Sequence, residues 1–409
     1  MIIPGGGTGE VALFYAEQLN HTSAEIVFLD LSNASIRISQ RRARFRNIGN
    51  MIWIQSWIEE VRYLGIGLFE HSQCSGVLHH LKCPTLGLKI IKDSLVFNGG
   101  MSIMVYAEIG RKAVYQVQHI LGAVNWSSNV GILKELEVAN HTLNILPAHH
   151  WFHISSKFLD HKLGNIGIYD LLLHKRDVAF SISSLEKWIS TGGLIFVDYN
   201  FFKARFKFNI KYYNLDEVLE RKIGRQSKTR QWSTTEILLS NVMQHSFFAS
   251  IDASSEAKLG DLSNRLFIWG NPIGFREAFL NPRNHKILNN KKRFLCQLTS
   301  ISQHIYSNSN VMQGTLKKKI DVKFTLELNP FSEFLMMSMF KYRNGTGLKS
   351  LYLEYSRAYN TTVSEQKFYD LAKIFYTSIK DTGLILLRDA VVLPFPKSSL
   401  ITLYRVTSM

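Results

Sequence analysis

The sequence predicts an α/β fold, a mainly parallel sheet with helices on both faces. Three observations carry this. Short apolar segments alternate with helix-patterned ones over residues 1–110, a glycine-rich turn follows the first of them, and an acidic residue ends the second. With 409 residues, 46% of them hydrophobic, the chain has material for a large core and for two or three domains.

Ile2-Ile3 reads as the stub of a first strand, clipped or nearly so, and Gly5 to Gly9 as a turn. Glu10 to Leu19 carries helical spacing through Val11, Leu13, Phe14, Ala16 and Leu19. Ile26 to Leu29 is a short buried strand ending at Asp30. A helix follows over Asn33 to Phe45, with Ser32 or Asn33 as its N-cap. Met51 to Ile54 is a third strand, and Cys74 to Leu78 lies near the end of a fourth. Pro84 to Leu95 is a helix closed by Asn98-Gly99-Gly100, and Met101 to Tyr106 is a fifth strand. Residues 111–205 read as mainly helical, with one more strand at Leu194 to Val197 after Gly192-Gly193. Residues 206–300 read as a linker or helical region that includes the basic stretch Arg221 to Arg230. Residues 301–409 read as a C-terminal α+β region of winged-helix-like order. Its parts are a helix over Phe368 to Ile379, the turn Asp381-Thr382-Gly383 and a strand from Leu384 to Leu387. Phe368, Leu371, Ile374, Phe375 and Ile379 fall on one side of that helix.

Gly5, Gly7 and Gly9 give G-x-G-x-G between a strand and a helix. Glycine there permits positive φ and close approach of a ligand to the backbone, and the helix start supplies free N–H groups. Asp30 follows 21 residues after Gly9, where an acidic side chain accepts hydrogen bonds from a ribose diol. A nicotinamide dinucleotide is the competing ligand. Its fingerprint needs Gly or Ala where Glu10 stands, and that carboxylate sits badly beside a pyrophosphate. A cofactor with a sulfonium and no phosphate tolerates Glu10.

Four segments then carry a family resemblance: Gly5 to Gly9, Leu29-Asp30-Leu31-Ser32, Ser75-Gly76-Val77-Leu78-His79-His80-Leu81, and Phe97-Asn98-Gly99-Gly100. Together they resemble class I S-adenosylmethionine-dependent methyltransferases, especially the domain that bacteria often fuse to tetratricopeptide repeats. Tyr106 to Arg111, and Asp170 to His174 with Phe180-Ser181-Ile182, are similar to further segments of that family. The resemblance covers residues 1–205. It implies a Rossmann-like sheet and S-adenosyl-L-methionine as cofactor. Gly5, Gly7 and Gly9 would line its methionine part, Asp30 would hold the ribose, and Leu31 would lie against the adenine. Ser75, Gly76 and Val77 would lie beside the cofactor, and His79 and His80 at the mouth of the active site.

The sequence departs from the family at three places. Trp57 stands where an Asp usually holds the adenine amino group; its ring can stack on adenine but accepts no hydrogen bond from it. Glu70-His71-Ser72-Gln73 is polar where an aliphatic strand is expected, and Pro4 replaces a small residue. These departures keep a catalytically degenerate binding module as an alternative to an active enzyme. Methyl transfer needs alignment and, for a protonated nucleophile, a base. His79 and His80, then Glu108 and His174, are the candidates, with His174 equally suited to cap a helix or pair with Asp170. Ser75-Gly76-Val77-Leu78 replaces the Asn/Asp-Pro-Pro-aromatic motif of many amino-group methyltransferases. That disfavours adenine or glutamine N-methylation and leaves O-, C- or protein methylation.

The acceptor expected is a protein or a small molecule. A net charge of +16 admits nucleic acid, but the basic runs at Arg41 to Arg44, Lys291 to Arg293 and Lys317 to Lys319 lack interleaved aromatics. Cys74, Cys83 and Cys296 lack zinc-ligand spacing and suit buried free thiols in a reducing, cytoplasmic setting. The sequons at Asn20 and Asn344 are then chance matches. No apolar run reaches the ~18 residues of a membrane span, and no signal peptide is visible.

Overall fold

The computed structural model describes residues 1–20, 22–123, 131–155, 158–199, 208, 210, 215–252, 265–269, 280, 285–288, 291–299, 321–342, 346–360, 362–379 and 385–389. Ile2 and Ile3 are buried in β1 (Ile2–Pro4), between β2 (Ile26–Asp30) and β4 (Phe69–Ser75). The strand is short, yet it pairs in parallel with β2 through Ile2↔Val27, Ile3↔Phe28 and Pro4↔Leu29. With β3 (Met51–Gln55), β5 (Leu95–Tyr106), β6 (Ile195–Tyr199) and β7 (Gln244–Ser250), the sheet has the order β3-β2-β1-β4-β5-β7-β6. Strands β1 to β5 are parallel, and β7 runs antiparallel between β5 and β6. The chain winds outward from β1 to β3, returns, and winds the other way from β4. This leaves a crevice at the carboxyl ends of β1 and β4, where such sheets bind ligands.

Alternation along the strands sends side chains to two separate cores. Ile3, Ile26 and Phe28 pack with Ala12, Leu13 and Ala16 of α1 (Glu10–Leu19) and with Ile36 and Ala43 of α2 (Asn33–Phe45). Ile2, Val27 and Leu29 face the other way. There they share a core with Leu88 and Ile91 of α3 (Pro84–Asp93) and with Leu185 and Trp188 of the helix Ile182–Thr191. Burial of a ring such as Phe28, with no exposed surface, contributes about 1.5–3 kcal/mol. Ser32 caps α2 by accepting the Ser35 N–H at 3.2 Å, as one of the two expected caps.

After β5 the chain is mostly helical, with α4 (Lys112–Ala123), α5 (Ile132–Ile145), α6 (Trp151–Ile154), α7 (Asn165–Ile168) and α8 (Ile182–Thr191) before β6. Val114, Val117, Leu121, Ala139, Ile168 and Leu171 give this lobe its own core. Gly110 enters it against the backbone of Val242. A Cβ on Gly110 would stand 2.0 Å from that carbonyl oxygen and 2.4 Å from its carbon. Gly110→Ala is therefore expected to cost at least about 1–3 kcal/mol, read as a fall in the chemical-denaturation midpoint. A midpoint like the wild type would mean that the Val242 backbone yields freely.

Several elements differ from their sequence expectation. β5 starts at Leu95 and runs through Asn98-Gly99-Gly100, which was expected to close a helix; α3 stops at Asp93. The pairing of β4 with β5 shifts register between Phe69 and His71. At that irregularity a Cβ on Gly99 would approach the Val96 carbonyl oxygen at 2.9 Å, so the glycine marks a kink inside a strand. The basic stretch Arg221 to Arg230 runs from the end of one capped helix into the start of another. They are α9 (Glu217–Gly224), capped by Asp216, and α10 (Lys228–Leu239), capped by Ser227. The sheet takes its strand β7 from beyond residue 205, where the sequence placed the end of the first domain. Polar β7 is accommodated because buried His245 has Nε2 3.0 Å from the Phe180 carbonyl and 3.1 Å from Glu236 Oε1.

Residues beyond 252 combine antiparallel strands with helices, in keeping with an α+β region. β10 (Lys291–Thr299) pairs with β9 (His285–Leu288) and β11 (Asp321–Glu327). β8 (Arg265–Trp269) pairs with β12 (Thr346–Gly347) and β13 (Ile385–Asp389). Both small sheets thus cross the expected boundary at residue 300. Phe331, Leu335 and Met339 of α11 (Pro330–Lys341) pack with Leu348 and Leu351 of α12 (Leu348–Tyr359) and Phe368, Ala372 and Phe375 of α13 (Glu365–Ile379). Ile374, expected on the buried side of α13, is 67% exposed; Ala372 takes the inner position. The turn at Asp381-Thr382-Gly383, the run Lys317-Lys318-Lys319 and the sequon at Asn344 lie outside the described residues. No helix among the described residues is long and apolar enough to cross a membrane.

Candidate active site

The glycine turn is tied to the end of β2 by three hydrogen bonds. The N–H groups of Gly5 and Gly6 donate to the Leu29 carbonyl at 2.7 and 3.1 Å, and Gly7 N–H donates to Asp30 Oδ2 at 2.7 Å. Asp30 Oδ1 accepts Ser32 N–H at 2.8 Å, so this carboxylate bridges the turn and the start of α2. Gly5, Gly7 and Gly9 all have positive φ, at 67°, 56° and 91°. Their surroundings differ. A Cβ on Gly5 would strike Val77 Cγ2 at 2.4 Å and one on Gly9 would strike Ser39 Oγ at 2.3 Å, whereas one on Gly7 would meet nothing within 4 Å. Gly5 and Gly9 are thus held by packing, and Gly7 opens onto free space. Arg42 of α2 holds the turn from outside, donating to the Thr8 carbonyl at 2.9 Å and lying 3.9 Å from Glu10.

That space is a cleft of about 210 Å³, lined by Gly5, Gly6, Gly7, Thr8 and Glu10 on one side and by Gln73 and Ser75 on the other. One residue of the polar segment in β4, Gln73, finds its partners here, whereas the buried Ser72 hydroxyl has none among the described residues. Tyr15 donates its hydroxyl to Gln73 Oε1 at 3.2 Å, and Gln73 Nε2 donates to Ser75 Oγ at 2.6 Å. Buried Gln73 therefore forms a satisfied polar floor, not a strained strand. Sequence reasoning found Ser75 and missed Gln73 and Tyr15; the available signal was a lone amide two positions before the Ser-Gly pair. Pro4 ends β1 beside them, and its carbonyl accepts a weak hydrogen bond from Cys74 Sγ at 3.7 Å. Burial pushes that thiol up to about 12, so it is inert. Cys83, expected to be buried, is exposed, because it is the N-cap residue of α3, outside the helix face that packs on the core.

Leu31 and Trp57, which follow the carboxyl ends of β2 and β3, are 46% and 55% exposed. Gln55 Nε2 donates to the Leu31 carbonyl at 3.1 Å and links these two loop starts. Gly76 and Val77 continue from Ser75; Gly76 N–H donates to the Met104 carbonyl at 3.0 Å, and Val77 touches the glycine turn.

Past Val77 the chain enters a short 3-10 turn, Leu78–His80, that carries both expected histidines. His79 is buried, with its ring centroid 4.2 Å from that of Tyr106 and 4.0 Å from that of His80. Neither ring nitrogen of His79 has a hydrogen-bond partner among the described residues. His80 is half-buried and stacks on His174 with centroids 3.7 Å apart. The Nδ1–H groups of His80 and His174 both donate to the Arg176 carbonyl, at 2.7 and 2.8 Å, and His174 stands at the C-cap of the helical turn Tyr169–Leu173, as expected. Sequence reasoning did not assign Arg111 and Asp177 a role. Their side chains are 5% and 2% exposed and lie 3.7 Å apart, and the Arg111 guanidinium sits 3.7 Å from the centre of the Tyr106 ring. Glu108 lines a separate open hollow of about 690 Å³ with Tyr115, His119 and His150.

Burial, helped by the neighbouring His80, Arg111 and His174, pushes His79 down to about 2. Burial and the amino terminus push His71 down to about 4. His79 is therefore neutral at physiological pH and a weak base. An unfolded chain binds these protons near pH 6.5 and the folded one does not, so stability is lost as pH falls below 6.5. The thermal midpoint is expected to fall between pH 6.5 and 5, before most carboxylates titrate, and a His79→Leu variant should flatten that slope. An unchanged slope in the variant would remove His79 from the account.

No protein-family model matches the chain. An uncharacterized protein of Synechococcus sp. is 26% identical over 248 residues, 60% of this chain; the chain spans 58% of the length of that curated relative. Among solved structures, PKMT2 from Rickettsia typhi in complex with AdoHcy matches with a TM-score of 0.58 and 12% identity, over 95% of this chain and 71% of that one. A second structure of PKMT2 from Rickettsia typhi gives a TM-score of 0.57 and 12% identity, over 94% and 70%. The fold is the Rossmann-like sheet of class I methyltransferases, covered by helices on both faces.

Proposed function

We propose that this chain is an S-adenosyl-L-methionine-dependent methyltransferase acting on a protein or small-molecule acceptor. The carrying observation is the cleft at the β1/β4 crevice, where the turn is fixed to Asp30 and Gly7 faces open space. The residues present fit the cofactor. The cradle is open at Gly7, where an added Cβ would meet nothing within 4 Å, and its wall brings the carboxylate of Glu10, which a pyrophosphate would repel. That also weighs against a nicotinamide dinucleotide.

In this reading Gly5, Gly7 and Gly9 shape the methionine end, with Gln73 and Ser75 as its polar floor. Asp30 accepts from the ribose hydroxyls with its remaining lone pairs. Leu31 and Trp57, apolar and uncovered, flank the adenine, and Gly76 and Val77 close the inner wall. When bound, the cofactor supplies an electrophilic methyl on a sulfonium. The chain's own work is to hold the acceptor in line and exclude water. His79 and His80, the expected bases, lie four and five residues past Ser75, but His79 is fully buried and held neutral down to about pH 2, too weak a base to take an acceptor's proton, so the acceptor's proton leaves to solvent. The domain resembles the methyltransferase unit fused to tetratricopeptide repeats, and the exposed Cys83 thiol suits a reducing cytoplasm.

Calorimetry with S-adenosylhomocysteine on the folded full-length chain is the test. Saturable one-to-one binding is expected. Absence of binding would remove the methyltransferase reading and leave the fold as a module with another ligand.

A further inference from the structure

We propose that His79, His80 and Asp177 form a binding site for a divalent transition ion of the zinc class. This site is independent of the cofactor cleft and does not rest on the methyl-transfer reading. Each of the three residues offers one ligand atom, and these atoms lie within 4.8 Å of one another. Two imidazoles and a carboxylate are the donor set that zinc and its neighbours favour, with positions left for water or another ligand. Bonds of ~2.1 Å span at most ~4.2 Å across an ion, so binding draws the three side chains slightly inward.

Three features indicate a ligand, beyond mere proximity. His79 has no exposed surface, yet neither of its ring nitrogens has a partner among the described residues. A buried imidazole left in that state is unfavourable, and a metal bond would offset the cost. His80 is already oriented. Its Nδ1–H is fixed on the Arg176 carbonyl at 2.7 Å, leaving the lone pair on Nε2, as in metal sites where a backbone carbonyl sets the ring. Asp177 is divided in the same way. Oδ2 is taken by Arg111 at 3.7 Å and by Gln118 Nε2 at 3.4 Å, while Oδ1 is buried without a partner. Arg111 thus holds one carboxylate oxygen and leaves the other for the ion. The two histidines come from the turn after β4 and the aspartate from the segment before α8, so the ion would pin these two loops together. The backbone already joins them once, through Val178 N–H to the His79 carbonyl at 2.9 Å.

The experiment is equilibrium dialysis of the full-length chain against Zn²⁺ alone, with the bound metal measured by mass spectrometry. His80→Ala, Asp177→Asn and, as a control on an exposed surface histidine, His141→Ala are taken in parallel. One equivalent is expected in the wild type and in His141→Ala, with affinity lowered at least tenfold in the other two. Circular dichroism establishes that each variant is folded. If His80→Ala or Asp177→Asn does not fold, X-ray absorption at the zinc edge of the wild type decides, with two imidazole nitrogens and one oxygen expected. Failure of the folded wild type to hold one equivalent would overturn the proposal. So would unchanged affinity in His80→Ala and Asp177→Asn, or a zinc shell without two imidazoles. S-adenosylhomocysteine binding, measured separately, stands or falls on the glycine cleft.

Discussion

Asp30→Ala is expected to weaken S-adenosylhomocysteine binding by a factor of about 100 or more. The carboxylate accepts Gly7 N–H at 2.7 Å and Ser32 N–H at 2.8 Å, and in the proposed complex it also accepts from the ribose. Hydrogen bonds to a charged group contribute about 1.5–3 kcal/mol each, and 1.4 kcal/mol is a factor of ten. Loss of the ribose contact alone accounts for roughly tenfold or more. Release of Gly7 loosens the turn the ligand rests on and supplies the rest. Asp30→Asn keeps one carbonyl acceptor and should fall between the two. Calorimetry measures all three proteins; wild-type affinity in Asp30→Ala would exclude Asp30 from the site.

Arg111→Leu should be the most damaging single change to stability. It strips the cation from Asp177, whose side chain is 2% exposed, and leaves Gln118 as its hydrogen-bond donor. Breaking one partner of a buried ion pair typically costs about 3–5 kcal/mol. It also removes the guanidinium from the faces of Tyr106 and Tyr115 and the Nε–H bond to the Tyr115 hydroxyl at 3.3 Å. At roughly 2–4 °C per kcal/mol, the thermal midpoint should drop by at least about 6 °C. The double variant Arg111→Leu with Asp177→Leu should recover much of that loss, because no buried charge is then left alone. A single variant melting within a degree of the wild type would show that water reaches the Asp177 carboxylate.

The glycine-turn half of the candidate site was legible because its signals are local. A turn that needs positive φ declares itself through Gly5, Gly7 and Gly9. A strand that ends in a carboxylate declares itself at Asp30, and a capped helix at Ser32. Each depends on residues a few positions apart. The half around His79 and His80 was not legible in the same way. Arg111 and Asp177 meet from either side of the helical lobe, and His79 and His80 gain their environment from Tyr106, His174 and Arg176. No periodicity encodes those encounters. Gln73 looked misplaced because a parallel strand buried on both faces is expected to be apolar; the Tyr15 hydroxyl that satisfies it comes from α1. The misread Asn98-Gly99-Gly100 segment is the same problem at shorter range. Glycine pairs mark turns and strand kinks alike, and only the register shift against Phe69 and His71 separates them.

The antiparallel β7 sets the order in which this protein can be completed during synthesis. When Tyr106 leaves the ribosome, β5 has β4 on one side and an open edge on the other, and it keeps that edge until Gln244 to Ser250 arrive. β6 waits as well, since its pairing partner is β7. For more than a hundred residues of translation the nascent sheet presents an unpaired strand of the kind that recruits other chains. The residues of the helical lobe, which share a core of their own, are synthesised during that interval. Full closure of the sheet is therefore a long-range event that needs β7.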